Sequence, residues 1–297
     1  DLHYAGYYVA GFSADSLFMG NYYSPLDMLT VSKNLSGSRE IRLAISDTPK
    51  IKAIYVYVDS PSVYMHAGNP PMLLKSELPG FSLKRYFLKS KPFTAALPLS
   101  PSSNVTRSYV SEKKEYDLVK QVDGPGKPVP GNILKRQVDG FFCIDGSLNY
   151  NRKSSKLVYT YRYRNEFICM DTNLHVLYRG ATIDTNRLAK IEVASSRQAD
   201  GTFQSVRSGN SMIVNQYSCL SDRFIFIHSK LVGDNEYRPK FDISAAIDVY
   251  SLQNGHYITS FYLPALENNK LLGLEVANDL LFAVYDHNLL AVYKMNL

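Results

Sequence analysis

Tyr161-Arg162-Tyr163-Arg164 is the run whose residue types most directly suggest chemistry. Aromatic faces stack on glycan rings and nucleic-acid bases, and guanidinium forks bind anions. Successive side chains on a strand point to opposite faces, so Tyr161 and Tyr163 should share one face and Arg162 and Arg164 the other. The expected arrangement is tyrosines packed inward and arginines turned outward. The six histidines, His3, His66, His175, His228, His256 and His287, could serve acid–base or metal chemistry, but none lies at metal-ligand spacing from another. They are expected as separate surface or half-buried residues. Cys143, Cys169 and Cys219 are odd in number and contain no CxxC. That argues against a disulfide framework or a zinc site, and leaves buried free thiols.

Catalytic motifs are absent: there is no GxSxG, HExxH, P-loop, GxGxxG or EF-hand loop. Four Asp-Gly pairs, at Asp123, Asp139, Asp145 and Asp200, read as hairpin turns, because Gly reaches positive φ and Asp tolerates it. The 297 residues are 45% hydrophobic and 20% charged, an ordinary globular composition. The net charge of +6 comes from short clusters such as Lys84-Arg85, Lys113-Lys114 and Arg152-Lys153. A positive field favours anionic partners. No cluster has the density of a nucleic-acid arm, so solvated turns and no nucleic-acid partner are expected. No stretch is long and apolar enough to span a membrane. A chain starting at Asp1 suggests a mature or trimmed form.

The elements that must position any site are strands. Tyr and Phe number 23 and 14, and both favour strands. The clearest unit is Leu271–Ala277, Leu280–Tyr285 and Leu289–Tyr293, punctuated by Asn278-Asp279 and Asp286-His287-Asn288. Short apolar runs broken by Asn and Asp read as antiparallel strands joined by hairpins. Related units recur along the chain, with second strands starting near 16, 62, 104, 156, 223 and 280. The predicted architecture is all-β, a single-domain β-propeller of six blades, with seven if 110–140 or 187–209 hides a degenerate blade. Blade boundaries fall at 1–47, 48–90, 91–138, 139–186, 187–264 and 265–297. The last unit shows three strands, and the segment before Tyr7 is expected to supply its fourth. The absence of Trp counts against WD-type, sialidase-like and quinoprotein repeats.

In pieces such as Ser211–Ile227 and Leu280–Tyr293, the chain resembles the six-bladed TolB-like and NHL-like propellers. The resemblance implies a periplasmic, secreted or surface-anchored protein, one that often binds partners without catalysis. Lactonase-like and phosphotriesterase-like propellers hold a channel metal with Glu, Asn and Asp from the innermost strands. The matching positions at the channel mouth are Asp59, Asp145, Asn215 and Glu275. Oxygen ligands of that kind suit calcium. The expected function is non-enzymatic recognition of a protein, peptide or carbohydrate at one channel mouth, by a monomer without cofactor. A metal-dependent lactonase or esterase is the alternative.

Overall fold

The computed structural model describes residues 2, 4–45, 52–69, 71–87, 92–123, 129–197, 203–234 and 236–296. In chain order, β1 (Tyr7–Phe12), β2 (Ser16–Asn21), β3 (Asp27–Ser32) and β4 (Ser38–Arg42) form an antiparallel meander. After the two-residue β5 (Ala44–Ile45) comes a second meander, β6 (Lys52–Asp59), β7 (Ser62–Asn69), β8 (Pro71–Glu77) and β9 (Ser82–Phe87). A third sheet contains β10 (Phe93–Ser100), β11 (Ser103–Val110), β12 (Glu115–Val122) and β13 (Val129–Pro130). The fourth is β14 (Gly146–Asn151), β15 (Lys156–Tyr161), β16 (Glu166–Asp171) and β17 (Val176–Ala181). A lone hairpin, β18 (Glu192–Arg197) and β19 (Phe203–Ser208), precedes β20 (Asn215–Leu220), β21 (Phe224–Ser229), β22 (Ser244–Ser251) and β23 (Tyr257–Pro264). The short helix α1 (Arg238–Asp242) lies between β21 and β22. The last sheet is β24 (Leu271–Ala277), β25 (Leu280–Tyr285) and β26 (Leu289–Lys294).

Burial changes across each meander in a way that explains the sequence pattern. After their first residue, β2, β15, β21 and β25 are buried on both faces. They therefore read as continuous apolar runs without alternation. The fourth strands β4 and β17 are mostly exposed, whereas the first strand β14 is half-buried throughout. Strands beginning at Ser16, Ser62, Ser103, Lys156, Phe224 and Leu280 match the second-strand starts read from the sequence within one residue.

Contacts group the chain into two compact units, residues 1–109 with 119–130 and 266–297, and residues 110–118 with 131–265. In the first unit, Leu17, Met19, Leu29 and Val31 pack against Phe282 and Val284 of β25. On the other side, Phe18 and Met28 pack with Val56, Val58, Val63 and Met65 of the second meander. The inner strands β1 and β6 are joined in parallel at Gly11–Val58 and Phe12–Asp59. Gly11 has φ +148, and a Cβ there would lie 1.9 Å from the Val58 carbonyl oxygen, so the junction requires glycine. Leu2 adds no strand beside β26. Its N–H donates to the Asn288 carbonyl (2.7 Å), its side chain joins the Phe282 cluster, and residues 4–6 are not strand. Burial of one leucine, rather than a ladder, ties this segment down.

In the second unit, Val158, Phe167 and Cys169 pack directly on Ile225, Ile227 and Tyr250. The hairpin β18–β19 does not intervene there, and β14 lies against β20. Asp139-Gly140 and Asp145-Gly146 do not close hairpins: the first lies in a bend and the second runs straight into β14. The Asp139 carboxylate instead accepts the N–H groups of Phe142 and Cys143. Gly124, Asp200 and Gly201 lie outside the described residues. All three cysteines are buried and none is in a disulfide.

Candidate functional site

The four residues expected at a channel mouth occupy different levels of their strands. In the second unit, Asp145 precedes β14 and Asn215 opens β20, and Arg162 connects them through the backbone. Its N–H donates to the Asp145 carbonyl (2.8 Å), and its carbonyl accepts the Asn215 N–H (3.1 Å). The Asp145 carboxylate accepts the N–H of Gly146 at 2.9 Å. Asn215 is buried, and its Nδ2 donates to the carbonyls of Tyr161 (2.8 Å) and Arg164 (3.0 Å). That amide is a clamp on the preceding turn.

In the first unit, Asp59 ends β6, whereas Glu275 lies in the middle of β24 opposite Phe282. Glu275 makes no hydrogen bond or ion pair among the described residues. Desolvation pushes its carboxyl up to about 8, although water still reaches part of the side chain. Among the described residues, no group of three or more His, Cys, Asp or Glu is placed to hold a metal ion.

In the Tyr161–Arg164 run both tyrosines are buried as expected, but Arg164 is buried with them instead of turning outward. β15 ends at Tyr161, so the strand period stops there and the next residues turn. Arg164 is 1% exposed, with its guanidinium 3.5 Å from the centre of the Tyr161 ring. Its Nε donates to Glu166 (2.8 Å) and its Nη1 to the Lys135 carbonyl (3.0 Å). Arg179 holds the other Glu166 oxygen at 2.6 Å and also donates to the Ile133 carbonyl. Arg164 and Arg179 each donate through two nitrogens to groups of the chain itself. The network fastens residues 133–135 to the fourth sheet.

The two histidines on second strands are both buried, His66 with partners at both ring nitrogens and His228 with its Nδ1 unpartnered among the described residues. His66 Nδ1 lies 3.1 Å from the Ala96 carbonyl and Nε2 3.3 Å from the Tyr86 hydroxyl, and burial lowers its pKa to about 4. Burial lowers His228 to about 3, with its ring 5.8 Å from that of Tyr217. His287 Nδ1 donates to Asn269 Oδ1 (2.6 Å) in the turn after β25.

An open pocket of about 410 Å³ lies at the end of the first sheet where β1 begins, and sequence reasoning did not single it out. Asn21, the last residue of β2, organises it. Its Nδ2 donates to the Ala5 carbonyl (2.9 Å), and its Oδ1 accepts the N–H groups of Tyr23 (2.8 Å) and Ser24 (3.0 Å). One buried amide thus ties the segment before β1 to the β2–β3 turn. Gly6 has φ +85, and a Cβ there would lie 2.5 Å from the Tyr23 ring, so glycine lets that ring lie across the segment. Tyr4, Tyr7 and Tyr23 supply aromatic walls, and Asp27 and Glu40 supply carboxylates.

The polar groups of this pocket are mostly unused. Tyr7 is only 6% exposed and its ring packs with Leu17 and Phe282, yet its hydroxyl has no partner among the described residues. Desolvation, then the nearby Glu40, Tyr4 and Asp27, raises its pKa. The Tyr4 and Tyr23 hydroxyls and the exposed Glu40 carboxylate also have no partner among the described residues, whereas Asp27 is paired with Arg42. Beside the pocket, Tyr8, Tyr22 and Tyr55 form a ring cluster with centroids 4.5 to 6.2 Å apart, and Tyr22 and Tyr55 are exposed. The sequence signal was present in two Tyr-Tyr pairs, Tyr7-Tyr8 and Tyr22-Tyr23. On β1 the pair Tyr7-Tyr8 puts one ring on each face, so both cannot enter the same core, whereas Tyr22-Tyr23 lie in the bend that follows β2.

No protein-family model and no curated protein matches the chain. Solved structures do. A member of the DUF4221 family from Bacteroides vulgatus is similar over 99% of this chain and 95% of its own, with TM-score 0.55 and 14% identity. A chain of a nidogen/laminin complex is similar over 91% of this chain and 83% of its own, with TM-score 0.53 and 8% identity. The β-propeller domain of Cps50 (Swd1) from Myceliophteria thermophila covers 100% of this chain and 98% of its own, with TM-score 0.51 and 10% identity. The chain has the β-propeller fold.

Proposed function

We propose that this chain is a non-enzymatic binding propeller of six blades, which recognises a protein or peptide segment through the tyrosine-rich end of its first sheet. The observation that carries the reading is the pocket lined by Tyr4, Tyr7 and Tyr23, whose hydroxyls and the Glu40 carboxylate have no partner among the described residues, together with the exposed Tyr22 and Tyr55 of the Tyr8 ring cluster. Tyrosines provide large, rigid contact area with a polar tip, and they concentrate at recognition surfaces. A folded chain gains nothing from leaving such rings in water, so their cost in exposure suits a surface that is covered in use. The count of six rests on direct packing of neighbouring sheets within each unit, with β18–β19 as an added hairpin. No geometry favours the metal-dependent hydrolase.

The test is an array of peptides and of glycans probed with the wild-type chain and with Tyr23→Ala. Peptide ligands lost on the Tyr23→Ala substitution support the reading. Ligands that bind the variant as well as the wild type would move the site elsewhere. A response to glycans alone would replace the peptide with a carbohydrate.

A further inference from the structure

We propose that the Tyr4–Tyr7–Tyr23 pocket takes a cationic side chain, lysine or arginine, from an extended peptide; this rests on the binding role assigned above to the same surface. Three observations converge on a cation. First, Tyr4, Tyr7 and Tyr23 line the pocket, and cations are attracted to aromatic faces. Secondly, all the unused groups present acceptors or can rotate to do so. The Tyr7 hydroxyl is the most telling, because the residue is buried, lines the pocket and has no hydroxyl partner among the described residues. Lysine and arginine are donors only, so every N–H they bring can find an acceptor in such a set.

Thirdly, the local charge opposes the global charge. The chain carries +6 overall, yet the pocket holds Asp27 and Glu40, and only Asp27 is neutralised, by Arg42. An anionic ligand would face Glu40 with no cation of the pocket to offset it. The volume, about 410 Å³, suits one long side chain and its flanking backbone, and lies at the small end of ligand pockets. Arg42 is itself informative. It already satisfies one carboxylate at the rim, so it competes with an incoming cation.

The experiment is isothermal titration of the purified chain with capped pentapeptides, Gly-Ser-Xaa-Ser-Gly, in which Xaa is lysine, arginine, norleucine or glutamate. Lysine and arginine peptides should bind roughly tenfold or more tighter than norleucine, given cation–π and charge contributions of about 1–2 kcal/mol. Glu40→Gln, at an exposed site, should weaken the lysine peptide by about fivefold or more, and Tyr23→Ala by about tenfold. Arg42→Gln should strengthen it severalfold, a gain that a merely structural role for these residues does not produce. Equal binding of lysine and norleucine peptides, or indifference of the lysine peptide to Glu40→Gln, overturns the cation assignment. If the peptides selected by the array lose binding on Tyr23→Ala but carry no basic residue, the cation assignment fails while the tyrosine surface stands. If no peptide depends on Tyr23, both fail.

Discussion

The Arg164 network of the second unit and the Tyr7 pocket of the first are built from the same materials, and they use them oppositely. Each combines tyrosine rings, carboxylates and arginine. Around Arg164, the buried cation stacks on buried Tyr161, pairs with the half-buried Glu166 and donates to a backbone carbonyl. Around Tyr7, three hydroxyls and Glu40 have no partner among the described residues, and the space between them is open. Residue types therefore do not distinguish a structural cluster from a recognition site. What distinguishes them is whether hydrogen-bonding capacity has been used up inside the chain.

The sharpest way to break the comparison is to remove the buried cation. Arg164→Met should destabilise the chain by about 3 kcal/mol or more, because it leaves Glu166 short of a partner and the Lys135 carbonyl without its donor. A urea denaturation midpoint unchanged from wild type would mean the network is dispensable. The next effect, on the order of 2–3 kcal/mol, concerns His66. Its folded pKa near 4 lies below the unfolded value, so the unfolded chain takes up protons first. Stability should be full above about pH 6.5 and fall as pH drops towards 4, a slope His66 shares with the buried His228, so His66→Gln should make it shallower without removing it.

Glu275 runs the other way. Its folded pKa of about 8 lies above the unfolded value of 4.5, so stability is present at low pH and declines as pH rises from 4.5 towards 8. Water reaching the side chain reduces the effect to about 1 kcal/mol, and Glu275→Gln should abolish it. Denaturation series at pH 5 and pH 8 would check both signs. The smallest effects sharpen the contrast: Tyr23→Ala and Glu40→Gln should each alter stability by less than about 0.5 kcal/mol, since both residues are exposed. A loss as large as that from Arg164→Met would make the pocket a structural cluster too.

How much was legible follows from which interactions are local. The strands β2, β15, β21 and β25 were readable because burial on both faces writes an unbroken apolar run into the sequence. The end of β15 at Tyr161 was not, since the alternation of Tyr and Arg continues past it and only the packing of Arg164 under residues 133–135 ends the period. Asp59, Asp145, Asn215 and Glu275 were chosen by residue type near inner strands, but level along a strand depends on register, and Asn215 proved to be a turn clamp. The pocket joins Tyr7, Asn21, Asp27 and Glu40, which lie on four different strands. Tyr7 faces Asn21 only through the β1–β2 ladder.

The sequence by itself determined the all-β character and the start of nearly every buried strand, because apolar runs and turn residues act over a few positions. Only the tertiary structure decided which tyrosines and charges are spent inside the chain and which stay open. That choice depends on partners distant in sequence, as with the Asn21 amide, whose bond to Ala5 exists only once the first two strands have paired.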